Sequence, residues 1–225
     1  LAEAVAERGK AQAVRRDGRS SGRRGPGTRD AIHAAALELF AKRGYHATSM
    51  RAIADAAKVQ PAAIYHWYPR KEAILVQLQD DFMEELTDRV LDAIARHERP
   101  ALRLAAAVRE HVVFHGIHSR AAFVTDSEIR ALRPGPRRAL IARRDVYQER
   151  FGEMIRAGIA DGSLHATHPN VATYAILLQC TGAALWFDLD GALGIDEVAD
   201  AYVELVLGSL QAAPELIAAA VEATR

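Results

Sequence analysis

The chain has 225 residues, half of them apolar and 26% charged, with 29 Lys/Arg against 29 Asp/Glu. That composition suits one large or two small soluble domains. Cys180 is the only cysteine, which excludes an intrachain disulfide and makes a reducing, cytoplasmic interior the economical reading. The first residues lack the basic-then-apolar run of a signal peptide. The longest apolar stretch, residues 171–187, is interrupted by Thr173, Gln179, Thr181 and Gly182, too polar for a membrane span. The zero net charge hides an asymmetry: residues 1–71 carry 14 Lys/Arg against 6 Asp/Glu, and residues 72–225 carry 15 against 23. A basic front on an acidic body suits a polyanion-binding head.

In chain order, residues 1–27 read as a disordered basic arm, rich in Arg, Gly and Ser without an apolar period. Helix signals then follow one another, and no strand run or Asn-Gly hairpin interrupts them. The expected fold class is all-α: a three-helix helix-turn-helix head at 28–75 and a helical bundle for ligand binding and dimerisation at 76–225. Thr28 caps a first helix whose stripe includes Ile32, Ala36 and Phe40, and Gly44 stops it. Residues 49–57, a turn at Lys58 and Val59, and residues 60–67 have the proportions of a helix-turn-helix. Thr48 or Ser49 caps the second helix. Pro61 opens the third, where its missing N–H costs nothing. In the body, helices are expected at about 71–97, 101–118, 121–132, 137–160, 169–188, 195–210 and from 214, with Pro134–Pro136 as a loop.

The third helix is short enough to enter a major groove about 12 Å wide. Gln60, Pro61, Ala62 and Ala63 form its tip. Gln suits adenine, and an Ala methyl suits the thymine methyl. Thr48, Ser49, Arg51, Tyr65, His66, Tyr68 and Lys71 suit phosphates, and Lys71 adds its charge to the positive end of the following helix. Trp67 is expected to pack at the junction of the third and fourth helices.

Residues 28–75 resemble the N-terminal domain of TetR-family transcriptional regulators. The matching residues are Ala36, Phe40, Gly44-Tyr45, Thr48, Ile53-Ala54, Ala57, Val59, Ile64-Tyr65, Lys71-Glu72 and Leu75. The chain departs from the pattern at Lys58 and Ala62, where glycine is common, and at Trp67-Tyr68, where a His-Phe pair is usual. The resemblance implies a homodimer that binds a palindromic double-stranded DNA operator, usually to repress, and a small-molecule effector in the C-terminal body.

In that body, His111, His115 and His118 recur at i, i+4 and i+7 on one helix face. Such a face could meet a metal, but no carboxylate or cysteine completes a recognised set, and lining a ligand cavity is the preferred reading. Residues 125–151 alternate charge along a helix–loop–helix and include Arg130, Arg144 and Tyr147. Together with the stretch around Trp186, they resemble a TetR subgroup that senses acyl-CoA thioesters, in which arginines at a pocket mouth would suit the CoA pyrophosphate. That subgroup's Trp-Tyr pair is Trp186-Phe187 here, followed by Asp188 in place of a basic residue. The dimer face is expected on the last two long helices, through Val171, Ala175, Leu178, Ala183, Leu185, Val198, Tyr202, Leu205, Val206 and Leu210, with Gly182 permitting close approach. No nucleophile–base pair or phosphate loop stands out, so neither an enzyme nor a cofactor is expected. The alternative function is a helical small-molecule or metal-binding protein that uses the histidine face without reading DNA.

Overall fold

The computed structural model describes residues 27–225, and the basic arm lies outside them apart from Gly27. The described residues are all-α, with ten α-helices joined by short turns. Helix α1 (Thr28–Arg43) has Thr28, the expected cap, as its first residue: Gly27 is the capping position, and its amide donates to the Asp30 carboxylate at 3.2 Å. The chain leaves α1 through Gly44 at φ +78°, a conformation that a side chain resists. Ser49 caps α2 (Met50–Ala56), its Oγ accepting from the Ala52 amide at 3.1 Å. Lys58, in the turn to α3 (Pro61–Trp67), takes φ +56°, at a cost of about 1–2 kcal/mol for a non-glycine residue. Ile32, Ala36, Ile53, Ala54 and Ile64 have no exposed surface, and with Phe40 they make the core of the three-helix head.

Helix α4 (Lys71–Ile94) has 24 residues, a rod of roughly 36 Å that leaves the head and runs along the body. It packs against α5 (Pro100–Ile117), the axis of the body. Ala101, Leu104, Ala105, Ala107, Val108 and Val112 are wholly buried around α5. A helix apolar on all sides must be enclosed, and small alanines let its neighbours approach. Those neighbours are α4, α7 (Pro134–Ala160), α8 (Pro169–Trp186), α9 (Ile195–Ser209) and α10 (Pro214–Thr224). Helix α6 (Ser119–Ser127), continued by a 3₁₀ turn at Glu128–Ala131, packs against α1 and so joins body to head. Pro134 and Pro136, expected in a loop, lie in the first turn of α7. There the N–H groups are unpaired within the helix anyway, so two prolines break nothing.

Candidate nucleic-acid interface and candidate ligand cavity

In the head, burial and exposure alternate as a groove-entering helix requires. Ile64 is fully buried, while Gln60, Pro61, Ala62, Tyr65 and His66 are exposed and Ala63 is half-buried. Ser49, Arg51, Lys58 and Arg70 are exposed beside them. The cluster is therefore a cationic surface with an amide, small methyls and aromatic hydroxyl and imidazole groups at its tip.

Three expected phosphate contacts are instead committed within the protein. Thr48 is buried, and its hydroxyl donates to the Gly44 carbonyl at 2.9 Å. Tyr68 is 6% exposed, and its hydroxyl accepts from Arg29 Nε at 3.1 Å and contacts His33. Lys71 Nζ donates to the carbonyls of Tyr45 and Thr48, each at 2.5 Å, and lies 4.2 Å from the centroid of the Tyr45 ring. Lys71 thus ties the α1–α2 turn to the start of α4, and its burial lowers the ammonium pKa. The aromatic pair is also exchanged relative to expectation: Trp67 is 47% exposed and Tyr68 is the packed residue. In a short helix the last turn decides which neighbour faces the core, and residue spacing could not separate 67 from 68.

The body holds a small cavity of about 160 Å³ between α4, α5, α6, α7 and α8. Phe82 and Met83 of α4 form its apolar side. His111, His115, Tyr147, Arg144, Asp126 and Thr181 provide the polar lining. The His111 and His115 rings stack at 4.0 Å with 10° between their planes. His111 Nδ1 meets the Tyr147 hydroxyl at 2.8 Å, and its Nε2 meets Thr181 Oγ1 at 3.1 Å. His115 Nδ1 lies 2.9 Å from the His111 carbonyl. Burial, reinforced by the neighbouring His115, pushes the His111 pKa well down, and burial pushes that of His115 down to about 4. Both imidazoles are neutral at physiological pH. Arg144 bonds the Thr125 carbonyl at 3.0 Å and the Asp126 carboxylate at 3.1 Å, so its charge is paired, while its buried Nε has no partner among the described residues.

A larger groove of about 530 Å³ between α4 and α7, with Arg143 and Arg150 on its wall, shares Met83 and Tyr147 with this cavity. A third space of about 360 Å³ between α6 and α8 shares Asp126 and Thr181. The histidine cavity therefore lies where two surface grooves meet.

Two segments of this chain match family models. Residues 32–78 match the bacterial regulatory proteins of the tetR family, and residues 97–210 match the tetracyclin repressor-like C-terminal domain. The chain belongs to the TetR family. It is a DNA-binding transcription regulator and not an enzyme. Among similar sequences, the HTH-type transcriptional repressor KstR2 of Rhodococcus jostii is 27% identical over 178 residues, covering 78% of this chain and 87% of that one. A tetR-family regulatory protein from Rhodococcus RHA1 has a similar solved structure, with a TM-score of 0.78, 28% identity, and coverage of 84% of this chain and all of that one. AibR, solved with isovaleryl coenzyme A and operator DNA, is 26% identical with a TM-score of 0.73, covering 82% of this chain and 98% of that one.

Within this TetR chain, the expected ligand residues divide. His111, His115, Arg144 and Tyr147 come together at the cavity. His118 does not reach it; its ring lies 4.5 Å from that of Phe114. Arg130 sits exposed in the 3₁₀ turn. Trp186 is 55% exposed at the end of α8, stacked on Tyr202 and donating to its hydroxyl at 3.3 Å. The i+7 step carries His118 past the end of α5, and Trp186 belongs to the outer face. Met83 and Thr181 were not anticipated in the cavity. An isolated threonine in an apolar helix is a weak signal until its inward face is known. Among the described residues, no three His, Cys, Asp or Glu side chains come together as a metal-binding group, and both nitrogens of His111 are already bonded.

The outer face of α8 is apolar and open. Val171, Tyr174, Leu178 and Leu185 are each more than 60% exposed, as is Leu205 of α9. Ala175 is exposed too. Other expected dimer residues turn inward: Ala183, Val198, Val206 and Leu210 belong to the monomer's own core. A Cβ added at Gly182 would meet nothing within 4 Å, so the body itself does not require a glycine there.

Proposed function

We propose that this regulator is a homodimeric, ligand-responsive repressor that binds a palindromic operator through α3 and is released by an acyl-CoA-like effector entering the histidine cavity. The exposed tip of α3 above the fully buried Ile64 carries the reading. Gln60 and Ala62 are offered to base edges, while Ser49, Arg51, Tyr65 and His66 are offered to phosphates. A second copy is supported by the open face of α8, whose exposed residues at 171, 174, 178 and 185 follow helical spacing. Two such stripes pack into one interface, and Gly182 permits the close crossing. Residues 28–75 form the reading head and 76–225 the sensing and pairing body. A cytoplasmic location fits a DNA-binding regulator of this family, and none of the described helices is long and apolar enough to cross a membrane.

The cavity's apolar side at Phe82 and Met83 supports an acyl group inside, and Arg150 along the adjoining groove supports an anionic carrier outside, Arg143 there being paired with Asp80 at 2.8 Å. AibR, solved with an acyl-CoA and an operator, supports the same pairing of ligand and DNA. Enrichment of duplexes from a random pool, followed by competition with hexanoyl-CoA, tests the proposal. It predicts recovery of a two-fold symmetric site, two chains per duplex, and release by hexanoyl-CoA but not by free CoA. Recovery of an unsymmetrical site bound by one chain would overturn the dimer, and indifference to every acyl-CoA would overturn the effector.

A further inference from the structure

The cavity's protons can be counted, and the count selects a ligand. His115 Nδ1 faces the His111 carbonyl at 2.9 Å. A carbonyl only accepts, so Nδ1 holds the proton of this neutral ring. Nε2 is left with a lone pair and has no partner among the described residues. Tyr147, His111 and Thr181 form a chain of two hydrogen bonds. A neutral imidazole brings one proton and each hydroxyl brings one, so three protons serve two bonds. If His111 is protonated at Nδ1, it donates to Tyr147 and accepts from Thr181, and the Tyr147 O–H is left over. If it is protonated at Nε2, the Thr181 O–H is left over. Neither hydroxyl has another partner among the described residues. These side chains therefore present one unused acceptor, at His115 Nε2, and one unused donor, at Tyr147 or Thr181, and the buried Arg144 Nε–H, which also has no partner among the described residues, adds a second donor.

From this count, and resting on the effector reading above, we infer that the cavity selects an acyl group carrying a hydroxyl. The hydroxyl donates to His115 Nε2 and accepts from the spare O–H of the His111 chain. A ketone only accepts and would leave Nε2 unpaired, and an unsubstituted chain leaves both groups unpaired. A site built to bond a hydroxyl rejects analogues lacking it far more strongly than an apolar pocket rejects an extra group. The volume of about 160 Å³ limits the enclosed part to roughly six carbons, since a cavity of about 150 Å³ accepts benzene.

Calorimetric titration of the full chain with hexanoyl-CoA, 3-hydroxyhexanoyl-CoA, 5-hydroxyhexanoyl-CoA and 3-oxohexanoyl-CoA tests this. At least one hydroxyacyl thioester is expected to bind about ten-fold or more tightly than both hexanoyl-CoA and the oxo compound. In His115→Phe the preference is expected to fall below about three-fold while hexanoyl-CoA still binds. The wild-type comparison decides the matter if that variant does not fold. Equal binding of all four thioesters, or a preference that survives His115→Phe, overturns the hydroxyl inference and leaves the acyl-CoA reading standing. No binding of any thioester overturns both.

Discussion

Lys71 separates two accounts of the DNA-binding head. As a phosphate contact, it would contribute to counterion release. As placed, its ammonium is spent on the Tyr45 and Thr48 carbonyls. Among the described residues, the exposed cations beside α3 are Arg51, Lys58 and Arg70 on each head, with Arg70 Nε 3.4 Å from the Glu72 carboxylate. Six such charges in the proposed dimer give a slope of log affinity against log salt of about −5, at roughly −0.9 per phosphate neutralised. Arg51→Ala removes two charges and should flatten the slope by about 1.8. Between 50 and 200 mM salt, that variant should lose about 12-fold less affinity than the wild type. Lys71→Met should leave the slope unchanged. It should instead cost about 2 kcal/mol of stability, or roughly 4–8 °C in melting temperature, because two carbonyls lose a charged donor. Fluorescence anisotropy on a selected operator gives the slopes, and thermal unfolding gives the stability. If Lys71→Met flattens the slope as Arg51→Ala does and leaves the melting temperature alone, the placement of Lys71 is wrong.

Leu178→Glu puts a charge at the centre of the open α8 face; sedimentation is expected to show a folded monomer, with unchanged helix content by circular dichroism. For His115, burial lowers the folded-state pKa to about 4, so the unfolded chain takes up the proton first as pH falls. Its contribution to stability is whole above about 6.5 and is lost progressively toward 4. Between pH 8 and pH 5 the loss is roughly 2 kcal/mol, and His115→Phe should show that much less acid destabilisation in denaturant titrations. Glu72→Gln, which weakens the link to Arg133 at the start of α4, should cut the effector-induced change in operator affinity at least five-fold, about 1 kcal/mol of coupling. Operator titrations with and without effector measure it.

The head was legible because its constraints are local. The stripe through Ile32, Ala36 and Phe40, the stop at Gly44, and Pro61 at a helix start are all visible in the order of residues, and each finds its expected place. Which polar groups remain free was not legible, because that depends on contacts distant in sequence. Tyr68 is taken up by Arg29 and His33, 39 and 35 residues away, and Lys71 by carbonyls 23 and 26 residues away. The same limit divided the histidines. Spacing put three on one face of α5, but only the course of α7 and α8 decides that His111 and His115 meet Tyr147 and Thr181 while His118 does not. On α8 the apolar residues run around the helix, so sequence could not sort Ala183, which is buried, from Leu185, which is open.

The short stretch from α6 to the start of α7 has a place in both halves of the protein, and this bears on how a ligand could reach the operator. At one end, Thr125 and Asp126 hold Arg144 at the cavity. Further along, Glu128 accepts the Tyr45 amide at 3.0 Å, and Arg133 binds Glu72 through its backbone amide at 2.8 Å and its Nε at 2.6 Å. Tyr45 and Thr48 are joined in turn to Lys71, so both links end where the head meets α4. The exposed Arg120–Glu38 pair adds little, since such pairs contribute under about 1 kcal/mol. A ligand that displaced Asp126 or Arg144 would need to change this stretch by only about 1–3 kcal/mol, the usual size of coupling between two sites. The bonds at Glu72 and Tyr45 have that magnitude together. Their loss or rearrangement is enough to shift the head without altering its own core, provided the ligand favours one arrangement over the other.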